Sequence, residues 1–143
     1  MIRGLKLTKL NIIDTLGGNV MHAMKKSSEG YSGFGEAYFS EIDKGAIKAW
    51  KKHKNMVLNL VVPLGKIKFV IFDNRFDENG KFYEIILSKE NYCRLTVPPN
   101  LWLGFQGLSD SSSTLLNIAD TEHNPLESEH LELEKINYDW SIK

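Results

Sequence analysis

Short apolar and branched runs, each closed by turn chemistry, dominate the chain from residue 55 onward. Residues 55–62 read Asn-Met-Val-Leu-Asn-Leu-Val-Val and meet Pro63. Residues 66–72 follow Gly65. A period of two sets Ile67, Phe69 and Ile71 on one face and Val70 and Phe72 on the other, so both faces of this strand are covered. Asp77-Glu78-Asn79-Gly80 is a turn signal, and residues 82–87 return as the second strand of a hairpin. Residues 94–97, 102–108 and 114–119 read as further strands, with weaker ones at 19–24 and 35–42. Residues 125–135 read as a helix, with Asn124 as its cap and Pro125 at its first position; residues 88–92 read as a single turn. Many short strands between frequent turns indicate an all-β sandwich or barrel.

Composition narrows the picture. A chain of 143 residues with 42% hydrophobic content builds one domain, residues 1–143, with a real core. Eighteen basic residues balance eighteen acidic ones, which argues against a dedicated nucleic-acid binder. Cys93 is the sole cysteine, so no internal disulfide forms; its apolar flanks read as packing, and its isolation fits a reducing compartment. No run approaches a membrane span or a signal peptide, and the chain reads as cytoplasmic. The acidic residues between Asp120 and Asp139 read as a solvated helix face.

Several segments in order carry a family resemblance. Gly45-Ala46-Ile47-Lys48-Ala49-Trp50-Lys51 resembles the Gly-Val-Ile-Arg-Gly-Leu-His signature of dTDP-4-dehydrorhamnose 3,5-epimerases. The stretch from Gly65 to Arg75, Leu87-Ser88-Lys89-Glu90-Asn91, and Val97-Pro98-Pro99-Asn100-Leu101-Trp102-Leu103-Gly104-Phe105 are similar to further motifs of that family. Leu108-Ser109-Asp110 and the closing Tyr138-Asp139-Trp140 continue the match. The resemblance implies a cupin-type jelly-roll β-barrel with a short C-terminal helix. It also implies a homodimer acting on a nucleotide-activated keto-sugar in polysaccharide synthesis, with no cofactor. The departures are specific. Lys51 stands at the family's basic histidine, Leu115 or Leu116 at its acidic tyrosine, Leu103 at a second histidine and Lys48 at an arginine. Trp50-Lys51-Lys52-His53-Lys54 also resembles the Gly-x-His-Ala-His-Lys segment of sugar 3,4-ketoisomerases, with His53 and Lys54 matching its second histidine and its lysine.

Strand alternation across residues 47–54 sets Ile47, Ala49, Lys51 and His53 on one face, read as the barrel interior, and Lys48, Trp50, Lys52 and Lys54 on the other. His53 is the favoured base because its ordinary pKa is already near the working range; Lys51 would first have to lose its proton. The lysines offer charge for a diphosphate, or simply form a solvated basic edge. Trp50 and Trp102 offer aromatic surface to a base or sugar, or belong to the core. Arg75 suits a phosphate or pairs with a nearby acid, while Asn59 and Asn117 line the cavity or face solvent. His22, His123 and His130 read as structural or exposed, and the histidine spacing disfavours a metal site. Without the family's histidine and tyrosine, a non-catalytic cupin that binds a sugar nucleotide is the alternative function.

Overall fold

The structure is a computed structural model that describes residues 1–142. Its strands are β1 (Lys6–Lys9), β2 (Ile12–Ile13), β3 (Val20–Met21), β4 (Glu36–Ile42), β5 (Ile47–His53), β6 (Leu58–Leu64), β7 (Lys66–Asp73), β8 (Lys81–Ser88), β9 (Cys93–Val97), β10 (Trp102–Gly107), β11 (Ser113–Ala119) and β12 (Ser128–His130). Two five-stranded antiparallel sheets, ordered β1-β9-β6-β11-β4 and β12-β5-β10-β7-β8, face each other as a cupin jelly roll; β2 and β3 pair separately.

Alternation along β7 builds the layers. Ile67, Phe69 and Ile71 enter the core between the sheets with Leu60, Leu95 and Leu115 from the opposite side. Val70 and Phe72 point outward into a second cluster with Trp50, Trp102, Ile136 and Trp140. The C-terminal segment thus covers the outer face of the second sheet, and both faces of β7 are dry, as its composition requires. The β7–β8 hairpin forms in the expected register, Phe72 opposite Phe82. Its turn closes with the Gly80 N–H donating to Asp77 O at 2.8 Å, where φ of +63° suits glycine.

Three local expectations change. Pro63 does not end its strand: β6 continues to Leu64. It lies beyond the β9 pairing, which stops at Leu60, and beside a register shift against β11, so its missing N–H breaks no ladder bond. Residues 89–91 form a turn between β8 and β9 rather than a helical turn. The helix expected at 125–135 is replaced by two 3-10 turns, Pro125–Glu127 and Leu133–Lys135, around strand β12. Asn124 does cap the first, accepting from the Leu126 N–H at 3.0 Å. The run His130-Leu131-Glu132-Leu133-Glu134 alternates with period two, and the free edge of β5 offers backbone partners that a helix would forgo.

Candidate active site

A cleft of about 660 Å³ opens between the two sheets. Lys48, Lys51 and His53 of β5, with Leu103 and Phe105 of β10, form one wall. Tyr38 and Ser40 of β4, Leu58 of β6 and Asn117 of β11 form the other. His130, Leu131, Glu132 and Lys135 close one side.

The β5 wall owes its arrangement to a bulge. Leu103 pairs with Lys51 but the next residue, Gly104, pairs with Ala49, so Trp50 is an extra residue in the ladder. The Ala49–Trp50 peptide is cis. Trp50 bonds instead along the other edge, its N–H donating to Leu131 O at 3.0 Å and its carbonyl accepting from the Leu131 N–H at 3.1 Å. The bulge resets the alternation. Lys48, opposite Phe105, joins Lys51 and His53 at the cleft, while Ile47 packs against the outer aromatic cluster and Ala49 touches that cluster and also borders the cleft. The expectation that Ile47 shares the interior face with Lys51 and His53, and that Lys48 faces away, is therefore corrected, whereas Ala49 does border the cleft. Uniform alternation does not survive an inserted residue.

His53 is held by a residue that composition alone disguised. Glu127, nine per cent exposed, places Oε1 2.6 Å from His53 Nδ1. Its Oε2 accepts from the backbone N–H groups of Asn55 and Met56, both at 2.8 Å. Burial alone would raise the Glu127 pKa, but these bonds with the His53 contact outweigh it and hold the carboxyl at about 2. Burial lowers the His53 pKa, with Lys51 and His130 adding to it, against the raising influence of Glu127. The pair is therefore a neutral imidazole donating Nδ1–H to a carboxylate, which leaves Nε2 with its lone pair. The acidic C-terminal run is thus not only a solvated face. His130 is exposed, as expected, and in addition sits across from Lys51 in the β5–β12 ladder and lines the cleft.

The other expected site residues divide. Asn117 lines the cleft, its amide donating to Ser40 Oγ at 3.0 Å. Trp50 borders the cleft with its ring largely in the outer cluster and its Nε1 donating to Leu133 O at 3.1 Å. Four residues lie elsewhere. Lys54 is exposed outside the cleft lining. Trp102 is buried in the outer cluster, with the Lys52 ammonium 4.7 Å from its ring. Arg75 pairs with Asp73 at 2.9 Å and also donates to Arg3 O at 2.7 Å. Asn59 is on the opposite face of β6, accepting from Arg94 Nε at 3.1 Å and Thr96 Oγ1 at 2.6 Å and donating to Gly30 O at 3.1 Å. In each of these last two cases, partners close in sequence or under the N-terminal segment consume the polar groups. Among the described residues no group of three or more metal-ligating side chains is assembled.

A dTDP-sugar isomerase from Desulfovibrio desulfuricans G20 superposes with a TM-score of 0.92 at 34% identity, covering 97% of this chain and 92% of that one. The chain belongs to the dTDP-sugar isomerase family. No protein-family model matches it. The 3,4-ketoisomerase QdtA of Thermoanaerobacterium thermosaccharolyticum, in complex with TDP, shares the isomerase fold at a TM-score of 0.76 and 17% identity, covering 90% of this chain and 89% of that one. The probable low-salt glycan biosynthesis epimerase Agl13 of Haloferax volcanii is 28% identical over 106 residues, which span 72% of this chain and 66% of that relative.

Proposed function

We propose that this chain is an isomerase or epimerase of a nucleotide-activated keto-sugar in polysaccharide synthesis, working by proton abstraction beside the carbonyl. The observation that carries the reading is the Glu127-anchored imidazole of His53 in a cleft that also holds Lys48 and Lys51. His53 Nε2 takes the proton from the carbon beside the ketone, and the electron pair of that C–H bond becomes the enolate. The Glu127 carboxylate stabilises the imidazolium that forms. Lys51 and Lys48 supply positive charge for the enolate oxygen and for the diphosphate. Asn117, with Ser40, offers polar contacts to the sugar. The isomerase and epimerase names of the relatives support this chemistry, and Agl13 supports a role in glycan assembly.

We place the enzyme in the cytoplasm as a homodimer. Cys93 is buried and free, in keeping with a reducing compartment, and no helix among the described residues is long and apolar enough to cross a membrane. A variant of QdtA has been seen with TDP-4-keto-6-deoxyglucose, which makes that sugar nucleotide the natural probe. Incubated with this chain, it is converted to an isomer visible by NMR. Tight binding of dTDP with the sugar left unchanged would instead favour a non-catalytic binding cupin.

A further inference from the structure

The outer face of the first sheet carries a second polar centre, which shares no lining residue with the cleft. Leu95 and Val97 of β9 and Leu58 and Leu60 of β6 enter the core, so alternation turns Arg94, Thr96 and Asn59 to the opposite face. Residues 22–30 are fastened across them. Arg94 Nη1 donates to Ala23 O at 2.9 Å, Nη2 to Glu29 O at 2.5 Å and Nε to Asn59 Oδ1 at 3.1 Å. Gly30 lies so near β9 that a Cβ there would meet Thr96 Oγ1 at 2.5 Å.

Arg94 is 1% exposed, yet among the described residues no carboxylate stands within ion-pair distance of it. A guanidinium does not shed its proton, so this cation is buried on neutral oxygens alone. Burial lowers its pKa, and the Glu29 carboxylate opposes that only in part. That carboxylate is instead 3.5 Å from Lys6 Nζ. Arg94 borders a cavity of about 170 Å³ together with Lys9, His22, Lys25 and Ser28. Neither the Lys9 nor the Lys25 ammonium has an ion-pair partner among the described residues. Ser28 Oγ accepts from the Lys25 N–H at 2.9 Å, which keeps the hydroxyl proton for another acceptor.

We propose that this cavity binds a small oxyanion of the phosphate class, which neutralises Arg94 and holds residues 22–30 against the sheet. Each terminal nitrogen of the guanidinium keeps one N–H beyond its carbonyl bond, and such a pair suits two oxygens of one anion. Lys9 on β1 and Lys25 on the covering segment bring charge from two different elements, which suits a tetrahedral ligand rather than a planar one. The volume admits a phosphate and not a sugar nucleotide, so the site differs from the cleft in ligand as well as in place. Because Ala23 O and Glu29 O already lie on the guanidinium, a bound anion also favours the seated form of residues 22–30. The site is independent of the His53 chemistry.

The test titrates inorganic phosphate into ¹⁵N-labelled protein, with chloride holding the ionic strength constant. The backbone amides of residues 22–30 and the Arg94 Nε–H are followed by NMR. These signals shift together and saturate in the wild-type. Lys9→Ala and Lys25→Ala, both at exposed positions, each weaken the apparent affinity by about tenfold. Lys54→Ala, exposed and outside both cavities, leaves it within about twofold of wild-type. No saturable shift in the wild-type overturns the proposal, as does an affinity unchanged by both Lys9→Ala and Lys25→Ala, which marks diffuse charge attraction. Acetate saturating the same signals at lower concentration than phosphate also overturns it, because the site then prefers a carboxylate.

Discussion

Glu127 Oε1 lies 2.6 Å from His53 Nδ1, although the two residues are 74 positions apart in the chain. The contact ties the C-terminal segment to β5 at the point where β12 begins its ladder with His53 opposite Ser128. One carboxylate thereby fixes the imidazole, satisfies two backbone N–H groups and sets which nitrogen faces the chemistry.

Glu127→Gln keeps the size of the side chain and removes its charge. The imidazolium loses its neighbouring anion, so the His53 pKa falls further below its ordinary 6.5. In the wild-type the acidic limb of kcat/KM lies below 6.5, since only neutral imidazole accepts a proton. In the variant that limb moves to still lower pH, and the plateau drops by about 100-fold because the developing imidazolium is less stabilised. A pH–rate profile of both proteins checks the two effects together.

The same pair makes the fold acid-sensitive. Both groups have folded pKa values below their unfolded ones, so the folded state binds fewer protons and stability is lost as pH falls. The His53 contribution is present above 6.5 and fades as pH drops through its lowered value. The Glu127 contribution is present above 4.5 and is lost toward about 2. Urea midpoints measured from pH 7 down to pH 3 fall progressively, and Glu127→Gln flattens the lower part of that curve.

Lys48→Ala and Lys51→Ala each remove one cationic side chain from the cleft wall. Each weakens dTDP binding by roughly tenfold, and added salt narrows the gap from wild-type because charge attraction is screened. Titration calorimetry at two ionic strengths reads both outcomes. Lys54→Ala, outside the cleft lining, leaves the affinity within about twofold of wild-type.

Gly104 faces the bulge of β5, where a Cβ would come within 2.7 Å of Ala49 Cβ and 3.0 Å of the Trp140 ring. Gly104→Ala therefore forces the strand and the C-terminal cover apart, at a cost of about 1–3 kcal/mol. The urea midpoint falls accordingly.

The barrel was legible because alternation and turn chemistry are local. The Ile67–Phe69–Ile71 face and the Gly80 hairpin could be read directly, and the ordered motifs agreed with the superposed family. The position of His53 and Lys51 at a cleft was legible for the same reason. The placement of Lys48 was not, because a bulge is a property of two strands in register, and nothing within residues 47–54 marks Trp50 as the extra residue. Glu127 was hidden by its surroundings: among many acidic residues, the buried one is distinguished only by the backbone donors of Asn55 and Met56 that it meets. The alternation of Leu131 and Leu133 with polar residues was the available signal against one continuous helix over 125–135, and the strong cap at Asn124 masked it. Arg75 and Asn59 shared the residue types of ligand contacts, yet local partners claim them.

The most direct test replaces the imidazole itself. His53→Asn and the wild-type enzyme are each incubated in D₂O with TDP-4-keto-6-deoxyglucose, and deuterium on the carbon beside the ketone is followed by NMR. The account predicts rapid incorporation by the wild-type and a loss of at least about 100-fold in the variant, with dTDP affinity retained. Incorporation by His53→Asn at the wild-type rate would contradict it.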